Sequence, residues 1–156
     1  MPVLRIRPAT IADIDDLVRV INAAFIVERE FLTRDRTSAD EVRAMLSKGA
    51  FLVGEDEAGA VVACAYLEQH GDRGYFGVLS VDPACHRRGY GGQMIDAIEA
   101  HFRARSCTWL DIRVVNLRTE LPPIYRKLGF VETGTEAFED PDLLRPAHFI
   151  RMSKPL

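Results

Sequence analysis

The spacing of apolar and polar positions changes period several times along the chain, and each change marks an element. Val3 to Arg7 alternates apolar and charged side chains, the period of a half-exposed strand, and Pro8 ends it. Helical spacing follows. Ile14, Leu17, Val18, Ile21 and Phe25 share one face behind the capping pair Thr10 and Asp13, which predicts a helix over about 11–25. Ser38 with Glu41 repeats the cap, Val42, Met45 and Leu46 supply the apolar face, and Gly49 stops a second helix. Between the two helices, Ile26 to Thr37 is charged and reads as an irregular loop around Phe31 and Leu32.

The middle of the chain reads as an antiparallel meander. Phe51–Glu55 and Val61–Leu67 flank Asp56-Glu57-Ala58-Gly59-Ala60, a hairpin pattern, and Tyr75–Val81 follows a turn at His70-Gly71-Asp72. After a glycine-rich stretch, Gly91, Ile95, Ile98 and Phe102 fall on one helical face, with Gln93, Asp96, Glu99 and Arg103 expected to face away. Trp109–Val114 is a further strand, and a strand–helix–strand crossover makes it parallel to the third meander strand. A short helix is expected to begin at Pro123 and to end after Leu128, at Gly129. Phe130–Phe138 and His148–Lys154 close the chain as strands.

Composition narrows the class without naming a chemistry. A chain of 156 residues fits one domain, 1–156, and 28% charged residues with 47% hydrophobic ones is the balance of a folded globular protein. The net charge of −3 makes His86-Arg87-Arg88 a local basic patch, and no nucleic-acid partner is expected. No apolar run suits a signal peptide or a membrane span, so a cytoplasmic location without membrane attachment is expected. Cys64, Cys85 and Cys107 lack metal-ligand spacing, so reduced thiols and no metal are expected.

The stretch Leu79-Ser80-Val81-Asp82-Pro83-Ala84-Cys85-His86-Arg87-Arg88-Gly89-Tyr90-Gly91-Gly92 combines a strand end, a basic glycine loop and a helix start. Glycines let a ligand approach the main chain, and a helix start offers unpaired amides, which together suit a diphosphate. A glycine turn with solvated arginines has the same sequence.

Two motifs then carry a resemblance that spans almost the whole chain. The loop His86-Arg87-Arg88-Gly89-Tyr90-Gly91 resembles the Gln/Arg-x-x-Gly-x-Gly/Ala motif of the GNAT superfamily of acyl-CoA-dependent N-acyltransferases. Asn116, Tyr125 and Gly129-Phe130 resemble that family's second conserved segment, with His86 in place of Gln or Arg and a wider gap between Asn116 and Tyr125. The resemblance implies an α/β (α+β) fold, a mixed and mostly antiparallel sheet of about seven strands flanked by about four helices. It also implies transfer of an acetyl group from acetyl-CoA directly to a primary amine, with no metal.

By the same resemblance, Val78, Leu79, Ser80 and Val81 would pair with the pantetheine arm, and the amides of Arg87, Arg88, Gly89, Tyr90, Gly91 and Gly92 would hold the diphosphate. Asn116 would help fix the arm, and Tyr125 would direct its hydroxyl at the thioester sulfur. The base is open among Glu28, Glu30, Glu68, His148 and water, and so are the acceptor amine and a homodimer. A non-catalytic acyl-CoA sensor is the alternative, and it would have no need of Tyr125. Cys85 has nothing near it in sequence to orient a base, so a bystander thiol is expected.

Overall fold

A computed structural model describes residues 2–156. Eleven regular elements follow one another, beginning with β1 (Arg5–Pro8), α1 (Ile14–Ala24), α2 (Ala39–Lys48), β2 (Ala50–Glu55), β3 (Val61–His70) and β4 (Arg73–Val81). They continue with α3 (Tyr90–Arg103), β5 (Trp109–Val115), α4 (Leu121–Lys127), β6 (Val131–Phe138) and β7 (Ala147–Pro155). One seven-stranded sheet runs in the order β1-β2-β3-β4-β5-β7-β6. Among the described residues only β4 and β5 pair in parallel, because α3 crosses between them.

The sheet is buried on both faces at β3, and its sequence says why. Cys64 and Tyr66 join Leu17, Ile21, Val42 and Phe51 under α1 and α2. Ala63, Ala65 and Leu67 point the other way, to Met94, Ile98 and Phe102 of α3. A third, smaller cluster joins Phe31, Leu32 and Val115 to Phe138, Leu143 and Phe149, where the segment after α1 meets the loop after β6. Leu32 bridges to Leu143, and the Leu144 amide donates to the Phe31 carbonyl at 2.9 Å.

Four expectations need correction. Ile26–Glu30 is a short 3-10 helix that buries Glu28, so the charged stretch is a structured wall and not an irregular loop. The last helix begins at Leu121, with the prolines inside its first turn, where a missing amide costs nothing. Glu99 is buried, because Lys154 Nζ at 3.2 Å and Arg103 Nη2 at 3.0 Å neutralise it. Gln93 turns back to the chain start, accepting from the Leu4 amide at 2.8 Å and donating to the Pro2 carbonyl at 2.9 Å. No helix among the described residues is long and apolar enough to cross a membrane.

Gly74 lies in the short stretch where β4 and β5 still pair, and a Cβ there would come within 2.5 Å of the buried Phe102 ring. Overpacking a filled core costs roughly 1–3 kcal/mol. Urea denaturation of Gly74→Ala should therefore show a lower midpoint with an unchanged slope. A midpoint equal to the parent's would mean that Phe102 can move aside.

Candidate active site

The cleft exists because β4 leaves β5. Their register holds only for Arg73, Gly74 and Tyr75 against Trp109, Leu110 and Asp111. Beyond Tyr75 the strands part, while β5 stays paired with β7 to Val115. On its other side β4 carries a bulge. Val78 and Leu79 stand opposite the single residue Ala65, between the pairs Tyr66–Gly77 and Cys64–Ser80. Val78 has φ +45°, a strained setting for a β-branched residue that costs roughly 1–3 kcal/mol. The Ser80 hydroxyl donates to the Val78 carbonyl at 2.7 Å and helps hold the bulge. The resulting cleft, about 500 Å³, has Gly77, Val78 and Leu79 on one wall and Ile112 to Val115 on the other.

At the end of β4, Asp82 caps a 3-10 turn over Pro83–Cys85 by accepting the Ala84 amide at 3.0 Å. Arg87 and Gly89 then take left-handed conformations, φ +66° and +77°, which swing the backbone into α3. Among the described residues, the amides of Arg87, Arg88 and Gly89 meet no carbonyl. They point out together with the free first turn of α3, the arrangement that suits an anion. Gly91 and Gly92 are not packed against the protein, since a Cβ on either meets nothing within 4 Å. Tyr90 is the opposite case, with its ring buried in the core so that only its backbone can serve a ligand. Cys85 is buried as well, with Arg88 Nη1 3.9 Å from its sulfur, and all three cysteines are free thiols.

Tyr125 reaches the cleft from α4. Its ring packs edge-on against Phe130 at 5.6 Å and at a tilt against Phe76 at 6.3 Å. Burial pushes its hydroxyl up to about 12, with Arg118 acting weakly in the other direction, so it stays a phenol at neutral pH. Asn116 sits at the β5 end, outside the cleft lining. It is tied to β7, where its Oδ1 accepts the His148 amide at 2.8 Å and its own amide donates to the His148 carbonyl at 2.9 Å.

The far end of the cleft is built by the 3-10 segment. Glu28 is buried, and Arg118 Nη1 donates to its Oε2 at 3.0 Å. Arg36 Nε lies 3.9 Å from its other oxygen. Burial nevertheless raises the Glu28 carboxyl above the usual range, against the pull of Arg36 and Arg118. Of the other candidate bases, Glu68 lines the cleft but is held by the Tyr66 hydroxyl at 2.6 Å and by His70 Nε2 at 2.8 Å. Glu30 is exposed and paired with Arg145, and His148 is an exposed strand residue. Sequence patterns missed Arg36 and Arg118, because Arg118 meets Glu28 across 90 positions and no local period marks such a pair. The positive φ of Val78 carries no sequence signal either, since valine is the residue least expected there.

Residues 47–132 match the acetyltransferase (GNAT) domain family. The chain is 29% identical over 133 residues to a mycothiol acetyltransferase from Propionibacterium freudenreichii, covering 80% of this chain and 42% of that protein. It thus spans less than half the length of that relative. Among solved structures, it resembles a ribosomal-protein-alanine N-acetyltransferase from Brucella melitensis, at TM-score 0.77 and 23% identity over 98% of this chain and 100% of that one. It also resembles a phosphinothricin acetyltransferase from Sinorhizobium meliloti in complex with AcCoA, at TM-score 0.76 and 17% identity over 98% and 88%. At these identities the structural likeness speaks for the fold.

The open space beside Gly91 makes a specific demand. Gly91→Val should leave the melting temperature of the free protein within a degree or so, because a Cβ there lies in open space with nothing within 4 Å. CoA should raise the melting temperature of the parent, since binding to the folded state alone raises the apparent stability, and the same change should abolish that rise. A CoA-induced shift that survives in the variant would move the diphosphate away from this loop.

Proposed function

Because this chain belongs to the GNAT acetyltransferase family, we propose that it moves the acetyl group of acetyl-CoA directly onto a primary amine. The observation that carries the proposal is the parting of β4 from β5 at a bulge, with a free-amide loop at one end and the Tyr125 phenol on the wall. Unpaired strand backbone at Val78 to Val81 offers hydrogen bonds to the amides of a pantetheine arm. The amides of Arg87 to Gly92 take the diphosphate, and the exposed Arg87 and Arg88 add charge at the rim. Asn116 still has its side-chain NH2 to offer, its oxygen being held by His148. A pure acyl-CoA sensor needs the loop and the parted strands but gives no reason for a phenol in the cleft.

In the reaction the amine nitrogen attacks the thioester carbonyl carbon, the C–S bond breaks, and the nitrogen sheds a proton while the sulfur gains one. A phenol near 12 is too weak an acid to protonate fully a thiolate whose conjugate acid lies at about 8.5. Tyr125 therefore acts chiefly as a hydrogen-bond donor to charge growing on sulfur, as an oxyanion-type donor does, and the proton that ends on sulfur comes from solvent. On the other side, Glu28 is the buried cleft carboxylate whose raised pKa suits it to accept the amine's proton. The acceptor named for each relative belongs to that relative, and one fold serves many amines.

Release of CoA thiol measured over a panel of amines tests the reading, and no release with any acceptor would overturn it. In the same assay Tyr125→Phe should lower kcat about 10²-fold, the lower end for a lost transition-state donor, with KM for acetyl-CoA nearly unchanged. Glu28→Gln should also lose about 10²-fold at neutral pH, as a removed general base does. That deficit should shrink as pH rises through the amine's own pKa, about 8 for an α-amino group, where free amine no longer needs the base. A loss independent of pH would make Glu28 a purely structural carboxylate.

A further inference from the structure

The charges around the acceptor end of the cleft do not balance, and two of them are unspent, the exposed Lys48 and the more enclosed Arg36. Five basic side chains line the cleft, Arg34, Arg36, Lys48, Arg113 and Arg118, against two acids, Glu28 and Glu68, in a chain whose net charge is −3. Three of the arginines are committed. Arg34 Nη2 is 2.6 Å from Asp140, Arg113 Nη1 is 2.7 Å from Glu136, and Arg118 holds Glu28 at 3.0 Å and Glu120 at 2.8 Å. Arg36 differs. Its nearest carboxylate oxygen is 3.9 Å away, beyond hydrogen-bond reach, and among the described residues its guanidinium donates to no acceptor. The group is nonetheless held in place, with its Cζ 5.3 Å from the centroid of the Phe25 ring. Its side chain is only 33% exposed.

A planar fork of donors, oriented by an aromatic ring and left without an acceptor beside a substrate cleft, matches a carboxylate or a phosphate. The loose pairing with Glu28 adds the second half of the pattern. A cation and an anion about 4 Å apart and unbonded to each other form the complement of a zwitterion whose amine and carboxylate sit on the same carbon. We propose that the acceptor is a free α-amino acid, with the Arg36 fork holding its carboxylate and Glu28 facing its amine. Beside them Phe138 and Phe149, stacked at 4.5 Å, line the same cleft and offer an apolar surface to the acceptor's side chain. The proposal rests on the acetyltransferase reading and names its substrate class.

The test is a steady-state comparison of an amino acid bearing an apolar side chain with its amide, its methyl ester and its decarboxylated amine. Rates are normalised to free-amine concentration, because these derivatives differ in amine pKa. The parent should prefer the free acid by roughly 10- to 100-fold in kcat/KM, the range expected for a charge-assisted bond that the derivatives cannot make. Arg36→Gln should bring that ratio close to one through KM for the acid, without moving KM for acetyl-CoA, and Arg36→Lys should restore part of it. Equal use of acid and ester overturns the subsite while leaving the enzyme reading intact. An amide that outperforms the acid also overturns it, in favour of a peptide N-terminus as acceptor. If none of the four compounds is acetylated while another amine is, the α-amino acid class is wrong. If no amine of any kind drives CoA release, the enzyme reading falls and the subsite falls with it.

Discussion

A β-strand can pair on two edges, and the central fact of this molecule is that β4 gives up one of them. Three residues of β4 pair with β5, and then the strand turns away, leaving amides and carbonyls that a buried sheet would otherwise satisfy. Unpaired backbone of this kind is costly unless something replaces the missing partner. The bulge opposite Ala65 lets β4 part from β5 while keeping its pairing to β3, and it does so by holding Val78 at a positive φ. The strain is confined to one residue. It sits at the wall of the cleft, where a ligand backbone could complete the interrupted ladder.

Everything else on the ligand side can be understood as support for that parting. Gly74 admits the Phe102 ring so that α3 lies close against the last paired segment. From there α3 is fixed by Met94, Ile98 and Phe102, which sets the position of its free first turn and of the left-handed Arg87 and Gly89 before it. Opposite, α4 is seven residues long and gains its position from Phe130 and Phe76 packing on Tyr125. The same packing that orients the phenol also desolvates it, which keeps the proton on it at neutral pH.

The order of elements was legible in the sequence because it depends on local periods and caps. Ser38, Gly49 and the glycine loop mark boundaries that the structure keeps within a residue or two. The loop's shape was also legible, since Gly89 takes a left-handed conformation at the start of α3, as a glycine there can without a Cβ clash. What escaped was non-local. Glu99 looks solvated in its own helix and becomes buried only because Lys154 arrives from the last strand. Glu28 looks like one charge among many, and its burial depends on Arg118, supplied from beyond β5. The early start of α4 was missed for a different reason, since a proline pair breaks a helix interior and is tolerated in a first turn.

The third cluster gives the Glu28 end of the cleft a construction of its own. The segment after α1 and the loop after β6 are joined by the Leu32–Leu143 bridge, by the Thr33 amide on the Asp142 carbonyl at 3.0 Å and by Arg34 on Asp140. Their apolar residues pack on one another and meet the sheet at Val115, Phe138, Ala147 and Phe149, apart from the core under α1 and α2 and the core under α3. Two stretches far apart in sequence thus behave as one interlocking piece. Replacing either alone would break its seams, whereas replacing both together would leave the core under α3 untouched. Mechanically the pair is a two-part clamp, in which each stretch holds the other and loosening one frees both.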